Sequence, residues 1–246
     1  MNSKTKLFYW SPYLVNIATP KAVINSALAM SNYSKNYECS VINFFGEFEK
    51  YKKTLKEKKV GFFDYYNPKY INFLPKHGKI YSRISFLIIF ITSFFPLKKL
   101  LEKKRPDFIV IHLITSLPLI LLILFNFKTK FILRISGYPK MNLVRKYLWK
   151  LAFKKIHSIT CPTKYTSEYM KSLELTDNKK IKLLYDPIIE VNKINKKKRI
   201  KENNIRDYQY FISIGRLTRQ KNFLFLCKVF KNIVVDNPNL KLLIAG

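Results

Sequence analysis

Short apolar runs alternate with helical patterns along almost the whole chain. Runs such as 38–45, 107–112 and 130–135 are rich in Val, Ile and Phe, which is typical of buried strands. The stretches between them repeat apolar residues at three- and four-residue steps, as helices that pack on a sheet do. Parallel strands need a long crossover, usually a helix. The alternation therefore predicts an α/β fold built on a parallel sheet.

The same pattern locates the elements and the domains. In the longer N-terminal part it predicts strands at 6–13, 38–45, 107–112, 130–135, 157–161 and 180–184, and helices at 20–35, 82–104, 116–126, 142–156 and 164–173. A polar stretch runs to residue 60 with no predicted element. The lysine-rich 190–206 carries almost no core-forming pattern, so we interpret 189–207 as a linker. The predicted domains are 1–188 and a second α/β unit at 208–246.

The charge balance restricts the partners. The chain has 46 Lys and Arg against 15 Asp and Glu, a formal net charge of +31, so we expect acidic partners: nucleic acid, anionic lipid or the phosphates of nucleotide sugars. The lysines are scattered along the chain. A nucleic-acid binder would cluster them with exposed aromatic residues or contain a known module, and neither is found. We therefore expect no nucleic-acid partner.

The cysteines and the N-terminus favour a reducing compartment. Cys39, Cys161 and Cys227 are odd in number and far apart, which indicates neither a disulfide framework nor a zinc site. The first apolar run is broken by Ser11 and Pro12 and lacks a cleavage pattern, so we interpret it as a strand and not as a signal peptide. These observations predict a cytoplasmic protein.

Two apolar segments raise the question of a membrane span. The segment at 84–97 is apolar all round, but it is shorter than the roughly 20 residues that a span needs. The segment at 108–127 is long enough, but it contains His112 and Pro118 and divides into a strand and a helix that opens near Ser116. A transmembrane helix is the alternative. We predict a buried strand and helix there, and no span.

The stretch FISIGRLTRQKN at 211–222 contains a candidate anion site. Phe211–Ile214 has the pattern of a buried strand, and 222–236 has the pattern of a helix, so Arg216 and Lys221 lie in a strand-to-helix loop. Ligands of α/β sheets bind beyond the carboxyl ends of strands, and a helix N-terminus favours an anion. Two cations there suit a diphosphate. The alternative is that both are solvated loop residues.

The residues from 212 to 246 resemble the opening of the nucleotide-binding domain of glycosyltransferase family 4, the group 1 glycosyltransferases. An apolar strand, Gly-Arg, a polar loop, Lys-Asn, a helix, Pro-Asn and a second apolar strand that ends in Gly occur in the family's order. The segments at 105–112, 134–163 and 180–188 resemble the family's N-terminal domain, the second of them in members that build bacterial surface polysaccharides such as lipopolysaccharide or capsule. The resemblance implies the GT-B fold, two Rossmann-like domains.

The resemblance also implies a reaction and its residues. Arg216 and Lys221 would be catalytic and would hold the diphosphate of a nucleotide sugar, together with Gly215 and Asn222 at the donor site. Such cations stabilise the charge that grows on the departing diphosphate. The family implies a retaining, hexosyltransferase-type enzyme that needs no metal or other cofactor, and the chain has no Asp-x-Asp triplet. The implied acceptor is a glycan, which we expect to be lipid-linked.

Candidate acceptor or cleft residues follow from the same resemblance. They are Asn16, Lys21, His112, Ser136 and Gly137. His112 ends a strand and is expected either to contact substrate or to be satisfied by backbone partners. The chain departs from the family in two of these regions. It lacks the glycine pair after the first strand, and it has Ser136-Gly137 where many members have His-Gly.

The family's Glu-x7-Glu is missing from the chain. Glu49 and Glu57 have the spacing but lie in the wrong domain, in a lysine-rich stretch, and are assigned no role. We therefore expect a C-terminally incomplete chain that does not transfer sugar alone. A non-catalytic, membrane-associated remnant is the first alternative function, and a basic nucleic-acid-binding protein is the second.

The helix predicted at 142–156 suggests a membrane contact. Lys146, Lys150 and Lys154 share one ridge, and Val144, Leu148 and Leu151 lie on the other side. The alternative is a solvated face over a core stripe. With the excess positive charge, we predict peripheral attachment to the anionic inner face of the membrane.

Overall fold

The structure, a computed structural model, describes residues 4–14, 18–75, 79–187, 191–198 and 209–246. The chain divides into two compact units, Met1–Glu190 and Val191–Gly246, which are called here the first and the second unit.

A parallel sheet forms the centre of the first unit. Its described strands are β1 (Thr5–Trp10), β2 (Tyr37–Asn43), β3 (Gly61–Asp64), β4 (Phe108–Ile111), β5 (Lys130–Arg134), β6 (Ser158–Cys161) and β7 (Ile181–Leu183). They are paired in the order β3-β2-β1-β4-β5-β6-β7, and every pair is parallel. The predicted α/β fold with a parallel sheet is confirmed.

Helices connect these strands. The described helices of the first unit are α1 (Ala18–Tyr33), α2 (Lys52–Glu57), α3 (Tyr70–Phe73), α4 (Lys79–Lys104), α5 (Ser116–Leu124), α6 (Leu143–Lys155) and α7 (Lys164–Ser172). The longer ones agree with the predicted ranges to within a few residues. Pro118 lies in the first turn of α5, where its missing N–H removes no helical hydrogen bond, so the predicted division of 108–127 into a strand and a helix is confirmed.

The helices cover both faces of the sheet. Side chains alternate along β1, so Leu7 and Tyr9 pack in one cluster with α1, while Phe8 and Trp10 pack in another. The second cluster also contains the buried residues of α4, α5 and α6. A right-handed crossover explains this division, because the chain moves in opposite directions along the sheet after β1 and after β3.

Two regions differ from the sequence-based expectation. The stretch before residue 60 contains a 3₁₀ turn (Glu49–Tyr51) and α2, and the edge strand β3 follows it. Strand β3 has four residues and pairs on one side only, so it has too little alternating pattern to be recognised. The predicted linker 189–207 lies outside the described residues except for α8 (Val191–Lys198), a short lysine-rich helix.

The second unit contains a parallel pair of strands and a helix. Strands β8 (Tyr210–Ile214) and β9 (Lys241–Ala245) are parallel, with Tyr210 opposite Lys241, and α9 (Phe223–Asp236) connects them. This β-α-β unit confirms the predicted strand, helix and strand. Within the unit as described, large apolar side chains of α9 such as Leu224 and Phe225 are exposed.

Pro96 lies inside α4 and changes its hydrogen bonding. Proline has no N–H, so the carbonyl of Thr92, four residues earlier, loses its helical donor. The Tyr66 hydroxyl donates to that carbonyl at 2.9 Å, and the Tyr65 hydroxyl donates to the carbonyl of Pro96 at 3.3 Å. The segment that follows β3 therefore holds α4 where its own hydrogen bonds are interrupted.

We expect Tyr66→Phe to lower the free energy of unfolding by about 1 kcal/mol, because it leaves the Thr92 carbonyl without its donor. Chemical denaturation checks this value. In a Pro96→Ala background the new N–H can bond the Thr92 carbonyl, so the same substitution should cost less there. An equal cost in both backgrounds would contradict this account of the proline.

Candidate active site

The carboxyl ends of β1, β4 and β5 meet at one edge of the sheet. Strand β1 lies between β2 and β4, and the chain leaves β1 and β4 toward opposite faces, so a space opens between the two exits. A cavity of about 150 Å³ occupies this space, lined by the first turn of α1 and by His112, Ser136 and Asp186. The sequence places a helix N-terminus and three polar residues around one opening.

His112 is the buried polar group of this cavity. Its backbone N–H donates to the Trp10 carbonyl at 2.9 Å, which continues the pairing of β4 with β1. The side chain is 7% exposed, and among the described residues its Nε2 has no hydrogen-bond partner. Burial, and secondarily the charge of Arg134, lower the pKa of the imidazole to about 3. His112 is therefore neutral near pH 7, and its Nε2 is free to bond a ligand.

Arg134 and Asp186 form an ion pair beside His112. Arg134 ends β5 and is 4% exposed; its guanidinium donates to the Asp186 carboxylate and to the Leu184 carbonyl. The pair holds the segment after β7 against the end of β5. The sequence-based site did not include these two residues. The signal that could have identified them is their position, because Arg134 and Asp186 are charged residues at the ends of two apolar strand patterns.

A second cavity, of about 240 Å³, shares His112 and Asp186 with the first. Apolar residues of β1, β4 and β5 form its floor on the sheet, and Ser26 and Met30 of α1 line its side. The Arg134–Asp186 pair lies at the polar part of this cavity. The site therefore combines a polar opening with an apolar recess.

The structure brings three of the five candidate acceptor residues together. Lys21, His112 and Ser136 line the first cavity. Gly137 follows Ser136, and a methyl group built on it would meet no atom within 4 Å, so it lies beside open space. Asn16 lies outside the described residues.

The four candidate donor residues lie in one loop of the second unit. Gly215 follows β8, and its N–H donates to the Ala245 carbonyl at 2.8 Å, so the loop begins at the carboxyl ends of both strands. Arg216 follows and is exposed. A 3₁₀ turn, Arg219–Lys221, leads to Asn222, which has a left-handed backbone (φ 51°) and precedes α9.

Lys221 and the start of α9 face the same loop. A methyl group on Gly215 would lie 3.4 Å from Cε of Lys221, so the lysine stem lies along the bare glycine. Asn222 precedes α9, but its side chain makes no hydrogen bond to the first turn of the helix. The backbone N–H groups of that turn therefore have no side-chain cap from Asn222. Arg216, Lys221 and these amides provide positive charge at one strand-to-helix turn.

Comparisons with known proteins agree with this architecture. No protein-family model matches the chain. An uncharacterised glycosyltransferase of Methanocaldococcus jannaschii is 27% identical over 238 residues, which cover 87% of this chain and 53% of that protein. The chain thus spans about half the length of the curated relative that it matches.

Solved structures share the fold. A glycosyltransferase from Rickettsia africae matches with a TM-score of 0.58 at 12% identity, over 100% of this chain and 69% of that one. The UDP-GlcNAc 2-epimerase from Neisseria meningitidis, bound to UDP-GlcNAc, matches with a TM-score of 0.54 at 13% identity, over 98% and 65%. The chain has the GT-B fold. At these identities the structures show the fold alone, and glycosyltransferases and epimerases both have it.

His112 makes stability depend on pH. Its pKa of about 3 lies below the ordinary 6.5, so between these values the unfolded chain binds a proton that the folded chain excludes. Stability is therefore lost as pH falls through this window. We expect His112→Gln to gain stability relative to the native chain as pH falls from 6 to 4, by up to about 1.4 kcal/mol per pH unit, as measured by urea unfolding.

Glu47 provides a control of opposite sign. Burial raises the pKa of its carboxyl to about 7, although the amides of Phe44 and Phe45 donate to it. The folded chain binds this proton first, so Glu47 adds stability as pH falls from 7 toward 4.5. Glu47→Gln should lose stability relative to the native chain in that range. Parallel pH profiles for the two variants would contradict the assignment.

Proposed function

We propose that the chain is part of a glycosyltransferase that uses a nucleoside-diphosphate sugar. The observation that carries the proposal is the loop of the second unit, where Arg216, Lys221 and the uncapped start of α9 lie at the carboxyl ends of β8 and β9. A diphosphate has the charge and the oxygen atoms that this group of donors would bind. The resemblance to family 4 supports the same substrate class, and the M. jannaschii relative, named as a glycosyltransferase, supports the activity.

The proposed chemistry places these cations on the leaving group. The bond between the anomeric carbon and the diphosphate oxygen breaks, the acceptor oxygen bonds the anomeric carbon, and the acceptor proton passes to the diphosphate. Negative charge grows on the diphosphate during this step, so fixed cations stabilise the transition state more than the bound substrate. Arg216 can donate to two phosphate oxygens at once, and Lys221 contributes a compact charge. In this proposal no metal cofactor is needed.

The cavity beside His112 is proposed as the acceptor site. Nε2 of the neutral His112 can bond an acceptor hydroxyl. Lys21 and the N-terminus of α1, which line the same cavity, suit a phosphate, the group that joins a glycan to its lipid carrier. A lipid-linked glycan acceptor therefore fits the lining, and the +31 charge supports attachment to the inner face of an anionic membrane. The family resemblance supports transfer of a hexose with retention, in surface-polysaccharide assembly.

Epimerisation of a nucleotide sugar is the second candidate, because a UDP-GlcNAc 2-epimerase has the same fold. The two functions differ in product. A transferase releases a nucleoside diphosphate when an acceptor is present, whereas an epimerase returns an isomeric nucleotide sugar without one. NMR analysis of UDP-GlcNAc incubated with and without a lipid-linked acceptor separates them. An isomerised nucleotide sugar with no acceptor present would replace the proposed function by the second.

Arg216→Ala should weaken the binding of UDP to this chain about tenfold or more, because a hydrogen bond to a charged group contributes about 1.5–3 kcal/mol. Isothermal titration calorimetry measures the change. In the complete protein we expect turnover to fall on the order of 100-fold. Arg219→Ala removes a cation from the same loop, outside the proposed site, and is the matched control. Equal effects of the two substitutions would mean that the loop contributes general charge and no specific contact.

A further inference from the structure

Helix α4 is apolar on two sides. Its inner side, which includes Ile89, Leu97 and Leu101, is buried in the core on the sheet. The outer side carries Ile84, Leu87, Ile91 and Phe95 at three- and four-residue steps, and all are exposed, Ile91 by 62% and Phe95 by 72%. A helix that is apolar all round is normally covered on every side. Here one side is uncovered along roughly 17 Å.

The neighbouring helices extend this surface. Helix α5 connects the two parts, because its following residue Phe125 contacts Phe94 of α4 and its last residue Leu124 lines a groove toward α6. The groove is apolar, and its α6 side includes Leu143 and Val144, which are 87% and 77% exposed. The outer surface is defined here as eight of the exposed apolar residues of the three helices: Ile84, Leu87, Ile91, Phe95, Leu124, Leu143, Val144 and Tyr147.

The structure shows which side of α6 meets the core. A core stripe of Val144, Leu148 and Leu151 was the alternative interpretation of this helix, but the buried residues are Trp149, Ala152 and Phe153. The three stripe residues line the exposed groove, and only Leu148 among them also packs against the core. The helix therefore has a buried side, an exposed apolar side and, next to the latter, the lysine ridge formed by Lys146, Lys150 and Lys154.

Charge distinguishes the occupants that could cover the outer surface. Helices α4, α5 and α6 contain many Lys and Arg residues and a single acidic one, Glu102. A second copy of a chain with a net charge of +31 would bring like charges together across this face. An anionic bilayer accepts apolar side chains below its headgroups and attracts lysines at their level. The basic ridge beside an apolar strip matches that arrangement.

The position of α4 favours a helix on the membrane and not through it. By length and composition Ile80–Lys104 could cross a membrane, so the argument that the apolar run at 84–97 is too short does not hold for the whole helix. A span would have to remove Leu97 and Leu101 from the core, and would break the hydrogen bonds that Tyr66 and Tyr65 donate to the carbonyls of Thr92 and Pro96. Contact of the outer side with a lipid surface leaves this core and these hydrogen bonds intact.

We propose that the outer surface of α4, α5 and α6 inserts into the headgroup and upper acyl region of an anionic bilayer, with the Lys146 ridge on the lipid headgroups. The inference rests on the membrane attachment that is part of the proposed function, and it assigns that attachment to apolar insertion together with charge. Loss of charge attraction alone would then leave part of the binding in place.

Flotation of the 246-residue chain with vesicles tests the proposal. With vesicles of phosphatidylcholine and phosphatidylglycerol, we expect binding that weakens but persists when salt rises from about 0.1 M to about 1 M, where the screening length falls from about 10 Å to about 3 Å. Replacing Ile84, Leu87 and Ile91 by Ser should reduce binding at both salt concentrations at least tenfold. Complete loss of native binding at high salt would overturn the insertion.

Two further variants separate the contributions. Replacing Lys146, Lys150 and Lys154 by Ser should reduce binding at low salt but leave the part that persists at high salt. Replacing Leu224, Phe225 and Val235 of the second unit by Ser removes exposed apolar residues elsewhere and is the matched control for the α4 variant. If this control lost as much binding as the α4 variant, the membrane contact would lie elsewhere and the proposal would be wrong.

The depth of α4 distinguishes lipid from protein contact. We expect the fluorescence of a Leu87→Trp variant to be quenched by lipids brominated on their acyl chains. Absence of this quenching, with association between protein molecules that the α4 triple variant abolishes, would assign the surface to a second copy. Resistance of the vesicle-bound protein to both high salt and alkaline extraction would indicate a span; either result overturns the proposal.

The vesicle test and the test of UDP binding are independent of each other. The α4 variant should bind UDP as the native chain does, and Arg216→Ala should bind vesicles as the native chain does. If the native chain bound UDP but did not bind anionic vesicles, the proposed membrane surface alone would be contradicted. Failure of UDP binding in the native chain would contradict the proposed function and leave the vesicle result unaffected.

Discussion

The reversal of chain direction between β1 and β4 is the constraint on which the first unit depends. Because crossovers between parallel strands are right-handed, the helix after β1 and the helix after β4 must cover opposite faces. The two segments that follow these strands diverge as they leave the sheet, and a cavity lies between the described parts of them. The N-terminus of α1 and the ring of His112 meet there because the topology places them there.

The polar groups around that space differ in whether their charges and hydrogen bonds are satisfied. The buried charge of Arg134 is paired with the partly exposed Asp186, so removing Asp186 would leave a buried charge without its partner. The ring of His112 is kept neutral by burial and leaves its Nε2 without a protein partner among the described residues. The hydrogen bonds of this sheet edge are therefore satisfied at the ion pair and unsatisfied at the histidine, and an unsatisfied buried group is expected where a ligand binds.

The two sides of α4 reflect two separate requirements. The inner side must fill the space above β1, β2 and β4, and Tyr66 compensates for the hydrogen bond that Pro96 removes. The packing of the first unit does not require the apolar outer side. Together with the groove beside α6 it forms a contiguous apolar area on an otherwise basic surface, which is a feature of interaction sites. Amphipathic pattern alone does not distinguish such an area from a core stripe, because both have the same helical period.

The sequence by itself determined the alternation of strands and helices, the parallel sheet and the strand-to-helix loop that carries Arg216 and Lys221. These follow from local pattern: apolar periodicity, proline in a first turn and residues that are neighbours in the chain. It also selected Lys21, His112 and Ser136 through resemblance. Only the tertiary structure showed that Arg134 and Asp186, 52 residues apart, form an ion pair beside His112, that β3 is an edge strand, and that Val144 is exposed while Trp149 is buried. The physical reason is that pairing across a sheet, and the choice of which apolar side of a helix meets the core, depend on residues far apart in the chain, whose separation local pattern does not encode.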